Sequence, residues 1–283
     1  MQRQPRETKT QRTDWWKIIG LALLIAGGTL FVENQLHTGW LYYVPFLVLA
    51  AFAIWNGVFK KQKRFLLLGV GLLSICLIMF SVFAVNIRNT YTLLGVSFLI
   101  VGVCWLVYVF LSKEINDQYD YWALLLSGIF AGIGAGFLWR EGQFLDFVLW
   151  VSLGASVPML VWGYIKRYFG LLIAGFIILS GGVGVAVAWG EPEIEVSSLT
   201  RTGIMLITFA LGWSGISVLS RRFVDQVAWW PLIPAGVLAM SGGGLLIGGG
   251  VGESGQYVGN TLSIALIILG VYVLLLRSGF HRK

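Results

Sequence analysis

The amino-acid sequence predicts an all-α fold, a polytopic transmembrane helical bundle of about ten helices. Two observations lead to this fold class. Of 283 residues, 57% are apolar and only 12% are charged, whereas soluble domains carry about 25% charged residues. The apolar residues also form long runs, and roughly 20 apolar residues cross a hydrocarbon core about 30 Å thick. Together these observations exclude a water-soluble fold.

Ten apolar runs are long enough to cross a bilayer, and the connections between them are too short for a second, soluble domain. The sequence therefore predicts a single transmembrane domain over 15–278, with a basic cytoplasmic tail at 1–14 and a second cytoplasmic tail at 279–283. The ten runs occupy residues 17–33, 40–58, 65–86, 92–111, 121–138, 146–165, 168–189, 202–219, 229–248 and 257–276.

The distribution of basic residues predicts which way the chain is threaded, because Lys and Arg concentrate in short cytoplasmic loops. If the N-terminal tail is cytoplasmic, seventeen of the twenty Lys and Arg residues fall on the cytoplasmic side. Only Arg88, Arg140 and Arg201 fall outside. The sequence thus places the chain in the plasma (cytoplasmic) membrane with both ends cytoplasmic. This topology explains the net charge of +7, so no nucleic-acid partner is needed to explain it.

An internal repeat appears when the chain is compared with itself at a displacement of roughly 108 residues. The unit holds four helices, with repeats at about 15–112 and 121–220 and a half repeat at about 229–278. Because an even number of helices returns the chain to the same side, we expect parallel repeats and not the inverted repeats of many transporters. A fainter match pairs Pro45 with Pro158. Fourteen residues recur identically at the main displacement, namely Thr92, Gly95, Trp105, Leu111, Ser112, Asp117, Gln118, Trp122, Leu124, Gly128, Ala131, Gly134, Gly136 and Leu138.

Small residues are expected to hold the helices together, because lipid tails are as apolar as leucine and helices in a bilayer associate through close packing. The fifth and ninth runs are the richest in such positions. The predicted helix-packing residues are Gly128, Gly132, Gly136, Gly236, Gly242 and Gly244.

Catalytic groups are not apparent in the predicted spans. Every Asp, Glu, Lys, Arg and His lies in a tail, a loop or the end of a span, whereas catalysis or ion coupling in a membrane usually requires ionisable groups within it. We therefore expect no catalytic residue, no metal site and no cofactor. The outer cluster of Glu191, Glu193 and Glu195 has the chemistry to hold a divalent cation, although an exposed, solvated turn is the favoured interpretation.

Three segments resemble known families. Tyr121 to Leu138 and Trp229 to Leu246, each an aromatic pair followed by glycines, resemble the helical hairpins of HdeD-type membrane proteins. Trp16 to Phe31 is similar to the transmembrane region of LiaI- and LiaF-type proteins. The resemblance implies a bacterial inner-membrane protein associated with acid or envelope stress, and no functional residues carry over from it.

Two functions stay open on the sequence. The favoured one is a non-enzymatic membrane protein that acts through helix packing, with membrane lipid, a second copy or another membrane protein as its partner. The alternative is a carrier of small or lipid-like molecules, because the ten predicted helices resemble the drug and metabolite transporter superfamily. That superfamily is built from five plus five inverted helices, so the four-helix period argues against it. A carrier would have a polar cavity near the midplane.

Overall fold

Helices account for most of the residues that the computed structural model describes, which are 15–36, 41–83, 87, 89–139, 143–190, 197–220, 223 and 228–248. Within these residues, nine of the ten predicted runs coincide with helices. Seven of the described helices are long and apolar enough to cross a bilayer, which supports a membrane protein. The tenth run, 257–276, lies outside the described residues, so the count of ten spans stays a prediction.

The chain divides into two compact units, Met1–Asn86 and Ile87–Lys283, and the single domain predicted over 15–278 stays a prediction. In the first unit, α2 and α3 pack closely, because Gly57 and Gly69 lie against the backbone of the facing helix. The described elements of this unit are α1 (Trp15–Leu36), a 3₁₀ turn (Leu41–Tyr43), α2 (Val44–Phe59) and α3 (Lys63–Phe83).

In the second unit, each described helix packs against the next helix along the chain. Among the described helices, contacts join only such chain neighbours. The described helices of this unit therefore form an open row, and the inner helices α5 to α8 each need two close-packing faces. Its described helices are α4 (Thr90–Asn116), α5 (Tyr121–Leu138), α6 (Phe144–Lys166), α7 (Phe169–Trp189), α8 (Ser198–Ser220) and α9 (Leu232–Gly248).

The α2–α3 and α6–α7 hairpins share one connection, in which Lys61 corresponds to Arg167. These two central residues have left-handed φ values of 52° and 55°. In α2–α3 the Gln62 N–H donates to the Gly57 carbonyl over 2.9 Å, and the α6–α7 equivalent is also 2.9 Å long. The match of Pro45 with Pro158 is therefore in the wrong register. Pro45 lies in the first turn of α2, where a missing N–H costs little, whereas Pro158 lies inside α6.

Candidate functional site

A close backbone contact joins α5 to α6 through glycine. A Cβ built on Gly128 would touch the carbonyl oxygen of Gly154, and a Cβ built on Gly154 would touch that of Gly128. Pro158 lacks the N–H that would otherwise bond the Gly154 carbonyl, four residues earlier. Gly132 continues the contact, since its Cβ would lie 2.5 Å from the Trp150 oxygen, and Gly136 faces Phe147.

The opposite face of α5 packs on α4 through a second pair of glycines. A Cβ built on Gly134 would lie 2.7 Å from the Gly95 oxygen. The same contact recurs between α9 and α8, at the positions that the predicted repeat pairs with these two, where a Cβ on Gly242 would lie 2.7 Å from the Gly203 oxygen. The two hairpins α4–α5 and α8–α9 therefore use the same pair of positions for their closest approach.

Gly236 is the equivalent of Gly128, but its surroundings differ. Among the described residues, no atom lies within 4 Å of a Cβ built on Gly236. The partner of Gly128 is α6, and the run that would take its place in the last half repeat is 257–276, outside the described residues. Gly244, the equivalent of Gly136, also lies in α9.

Each of these two hairpins is closed at its turn by a buried serine. The Ser112 hydroxyl accepts the Asp120 N–H over 3.1 Å and donates to the Val109 carbonyl over 2.7 Å. Ser220 makes the same bonds, to the Ala228 N–H over 2.9 Å and to the Ser217 carbonyl over 2.6 Å. Each hairpin also has a pair of Trp rings in contact across it. The ring centroids are 5.4 Å apart for Trp105 with Trp122 and 5.8 Å apart for Trp213 with Trp230.

We predict that Ser112→Ala and Ser220→Ala each lower the free energy of unfolding by about 1–3 kcal/mol, because each leaves a partly buried backbone N–H without its acceptor. Ser74→Ala, which removes a bond from a serine to its own helix, should change it by less than about 1 kcal/mol. Titration with SDS from a mild detergent measures all three. Equal losses in the three variants would contradict the structural role of the turn serines.

A partly buried polar pair distinguishes the α4–α5 hairpin from the α8–α9 hairpin. Tyr108 is 1% exposed, and its hydroxyl donates to Asp120 over 3.2 Å. The equivalent positions in α8–α9 hold Ile216, which is also buried, and Ala228. This difference is visible in the sequence, because the polar residues Tyr108 and Asp120 align with the apolar residues Ile216 and Ala228.

An apolar groove of about 400 Å³ lies between α6, α7 and α8. Its floor is formed by α7 and its walls by the last turns of α6 and the end of α8. Tyr164 of α6 contacts Phe223, which follows the end of α8, with ring centroids 5.9 Å apart. The lining residues are Leu160, Val161, Tyr164, Ile165, Leu172, Phe176 and Leu219. The sequence alone does not predict this groove, because the groove depends on which helices are neighbours.

One acidic side chain is buried within a described helix. Glu33 is 1% exposed near the end of α1, and one of its carboxylate oxygens accepts the Leu41 N–H over 3.2 Å. In the described part of the chain, no group of three or more His, Cys, Asp or Glu residues is placed to hold a metal ion. The predicted acidic cluster of Glu191, Glu193 and Glu195 lies outside that part.

Serine side chains in the spans mostly bond to their own helix, as Ser152 does to Val148 and Ser180 to Phe176. Among the described residues, Ser127 instead bonds across to the neighbouring helix, donating to the Gly102 carbonyl over 2.8 Å. Neither a protein family, nor a curated protein, nor a solved structure matches the chain.

Proposed function

We propose that the protein is a non-enzymatic plasma-membrane scaffold that acts through helix packing and through contacts with membrane lipid and with other membrane proteins or a second copy of itself. The observation that carries this proposal is the open row of α4 to α9. Each helix in it is packed on its chain neighbours by small residues, which leaves the two broad sides of the row to face lipid or a partner.

The proposal includes ten spans in parallel four-helix repeats, with both ends cytoplasmic. Support comes from contacts that recur at equivalent positions of the repeat, the Gly134 and Gly242 approaches and the Ser112 and Ser220 turns. The basic residues of the predicted cytoplasmic loops support the orientation.

Access of water to buried serines tests the scaffold against the alternative, a carrier. Single cysteines replace Ser127, Ser156 or Ser180, all buried, in a protein whose Cys76 and Cys104 are changed to alanine. A scaffold predicts no reaction with a small charged methanethiosulfonate in liposomes, while Ser197→Cys, at an exposed position, reacts fully. A carrier with a midplane cavity predicts reaction at one or more of the buried positions, and that result would overturn the proposal.

A further inference from the structure

We propose that the groove between α6, α7 and α8 binds one acyl chain of an anionic phospholipid, whose phosphate lies against the Lys166–Arg167 turn. This inference rests on the proposed function, in which lipid is a partner, and it specifies where the lipid binds and which class it belongs to.

The shape and chemistry of the groove suit a hydrocarbon chain. Its volume of about 400 Å³ falls within the range of roughly 300–1,000 Å³ that is typical of ligand pockets. Leu172 at its floor is 1% exposed, and apart from the Tyr164 hydroxyl the lining side chains are hydrocarbon. Water would find few hydrogen-bond partners there. An acyl chain would restore the dispersion contacts that an empty groove forgoes.

The groove ends at the turn between α6 and α7. It is lined by the last two turns of α6, the first two turns of α7 and the end of α8, so it runs toward the membrane surface. Tyr164 and Tyr168 are both about half exposed at this end. Half-exposed tyrosines of this kind mark the level of the lipid headgroups.

Positive charge is available at the mouth of the groove. Lys166 and Arg167 directly follow the lining residue Ile165, and both are exposed. The Lys166 ammonium lies 5.3 Å from the centroid of the Tyr121 ring. In the described part of the chain, neither basic residue has an ion pair with a carboxylate. A lipid phosphate is negatively charged and lies at the depth of the headgroups, so it can pair with these two basic side chains.

Lipid titration of the delipidated full-length protein tests the site, with bound lipid counted by native mass spectrometry. Phosphatidylglycerol and phosphatidylcholine with identical acyl chains are the two probes. We expect one phosphatidylglycerol to bind more tightly than phosphatidylcholine. Lys166→Gln with Arg167→Gln should weaken phosphatidylglycerol about 30-fold, equivalent to ~2 kcal/mol for two basic residues, and leave phosphatidylcholine nearly unchanged. Val161→Trp, at a lining position that is 41% exposed, should fill the groove and weaken both lipids.

The α2–α3 hairpin supplies the control, because Lys60 and Lys61 occupy the turn positions equivalent to Lys166 and Arg167. Lys60→Gln with Lys61→Gln removes the same charge from a turn that does not line the groove, and it should leave both affinities unchanged. Equal losses from the two charge pairs, or unchanged binding in Val161→Trp, would overturn the groove as the site. Either result would leave the scaffold proposal intact, since that proposal depends on the reaction of the buried cysteines and not on this groove.

Discussion

Gly154→Ala should lower the free energy of unfolding by about 1–3 kcal/mol, even though alanine is the better helix former. The added Cβ would touch the carbonyl oxygen of Gly128 and approach the Gly132 Cα to 2.7 Å. Because the obstructing atoms belong to the α5 backbone, the neighbour cannot move aside by changing a rotamer. The helices must separate, which removes the close packing on which association in a bilayer depends. SDS titration of the purified protein measures the loss.

Gly181→Ala is the control for Gly154→Ala. Gly181 lies on α7, and among the described residues no atom is within 4 Å of its built Cβ. The same chemical change should therefore be neutral or raise the free energy of unfolding by up to about 1 kcal/mol, through helix propensity alone. Gly154→Ala should therefore lower the free energy of unfolding, whereas Gly181→Ala should not. A stabilising or neutral Gly154→Ala would show that α5 and α6 do not approach through these glycines.

Gly57→Ala and Gly163→Ala should both destabilise their hairpins, and Gly57→Ala should do so more. A Cβ on Gly57 would lie 2.5 Å from the Leu66 nitrogen, whereas a Cβ on Gly163 would lie 3.0 Å from the Leu172 nitrogen. Overpacking of this kind costs about 1–3 kcal/mol, and the smaller clearance requires the larger backbone shift. The free energies of unfolding of the two variants measure the order.

Gly71→Ala completes this series, because its Cβ would meet nothing within 4 Å among the described residues. It should keep the unfolding midpoint of the unaltered protein or raise it. A larger loss of unfolding free energy in Gly163→Ala than in Gly57→Ala would contradict this explanation. So would a loss in Gly71→Ala as large as either, because the close contacts at the two connections would then not explain why glycine occupies positions 57 and 163.

The sequence was sufficient to predict the nine described helices, because a membrane span imposes a length and an apolar composition that a single chain can show. Most of the predicted boundaries lie within a few residues of the observed ones. The internal repeat also paired the residues that later proved to make equivalent contacts, such as Ser112 with Ser220. Repeat identity carries information on packing because the same interface must be formed twice.

Neighbour relations could not be read from the sequence. Gly128, Gly132 and Gly136 of α5 face α6, whereas Gly134 faces α4, and the sequence alone does not indicate which helix each face of α5 contacts. The groove depends on α6 and α8 standing on either side of α7. The match of Lys61 with Arg167 was missed because it rests on few identities, and the two helix prolines gave a more visible but incorrect pairing.

Labelling from opposite sides of α7 tests the transmembrane topology most directly. Arg167→Cys and Ser197→Cys, each as the single cysteine, are exposed to a membrane-impermeant maleimide in intact cells and after permeabilisation. Because the predicted topology places Ser197 outside and Arg167 in the cytoplasm, we expect Ser197→Cys to react in intact cells and Arg167→Cys to react only after permeabilisation. Reaction of both positions from the same side would contradict a membrane-spanning α7. It would also contradict the predicted topology, in which the basic loops lie on the cytoplasmic side.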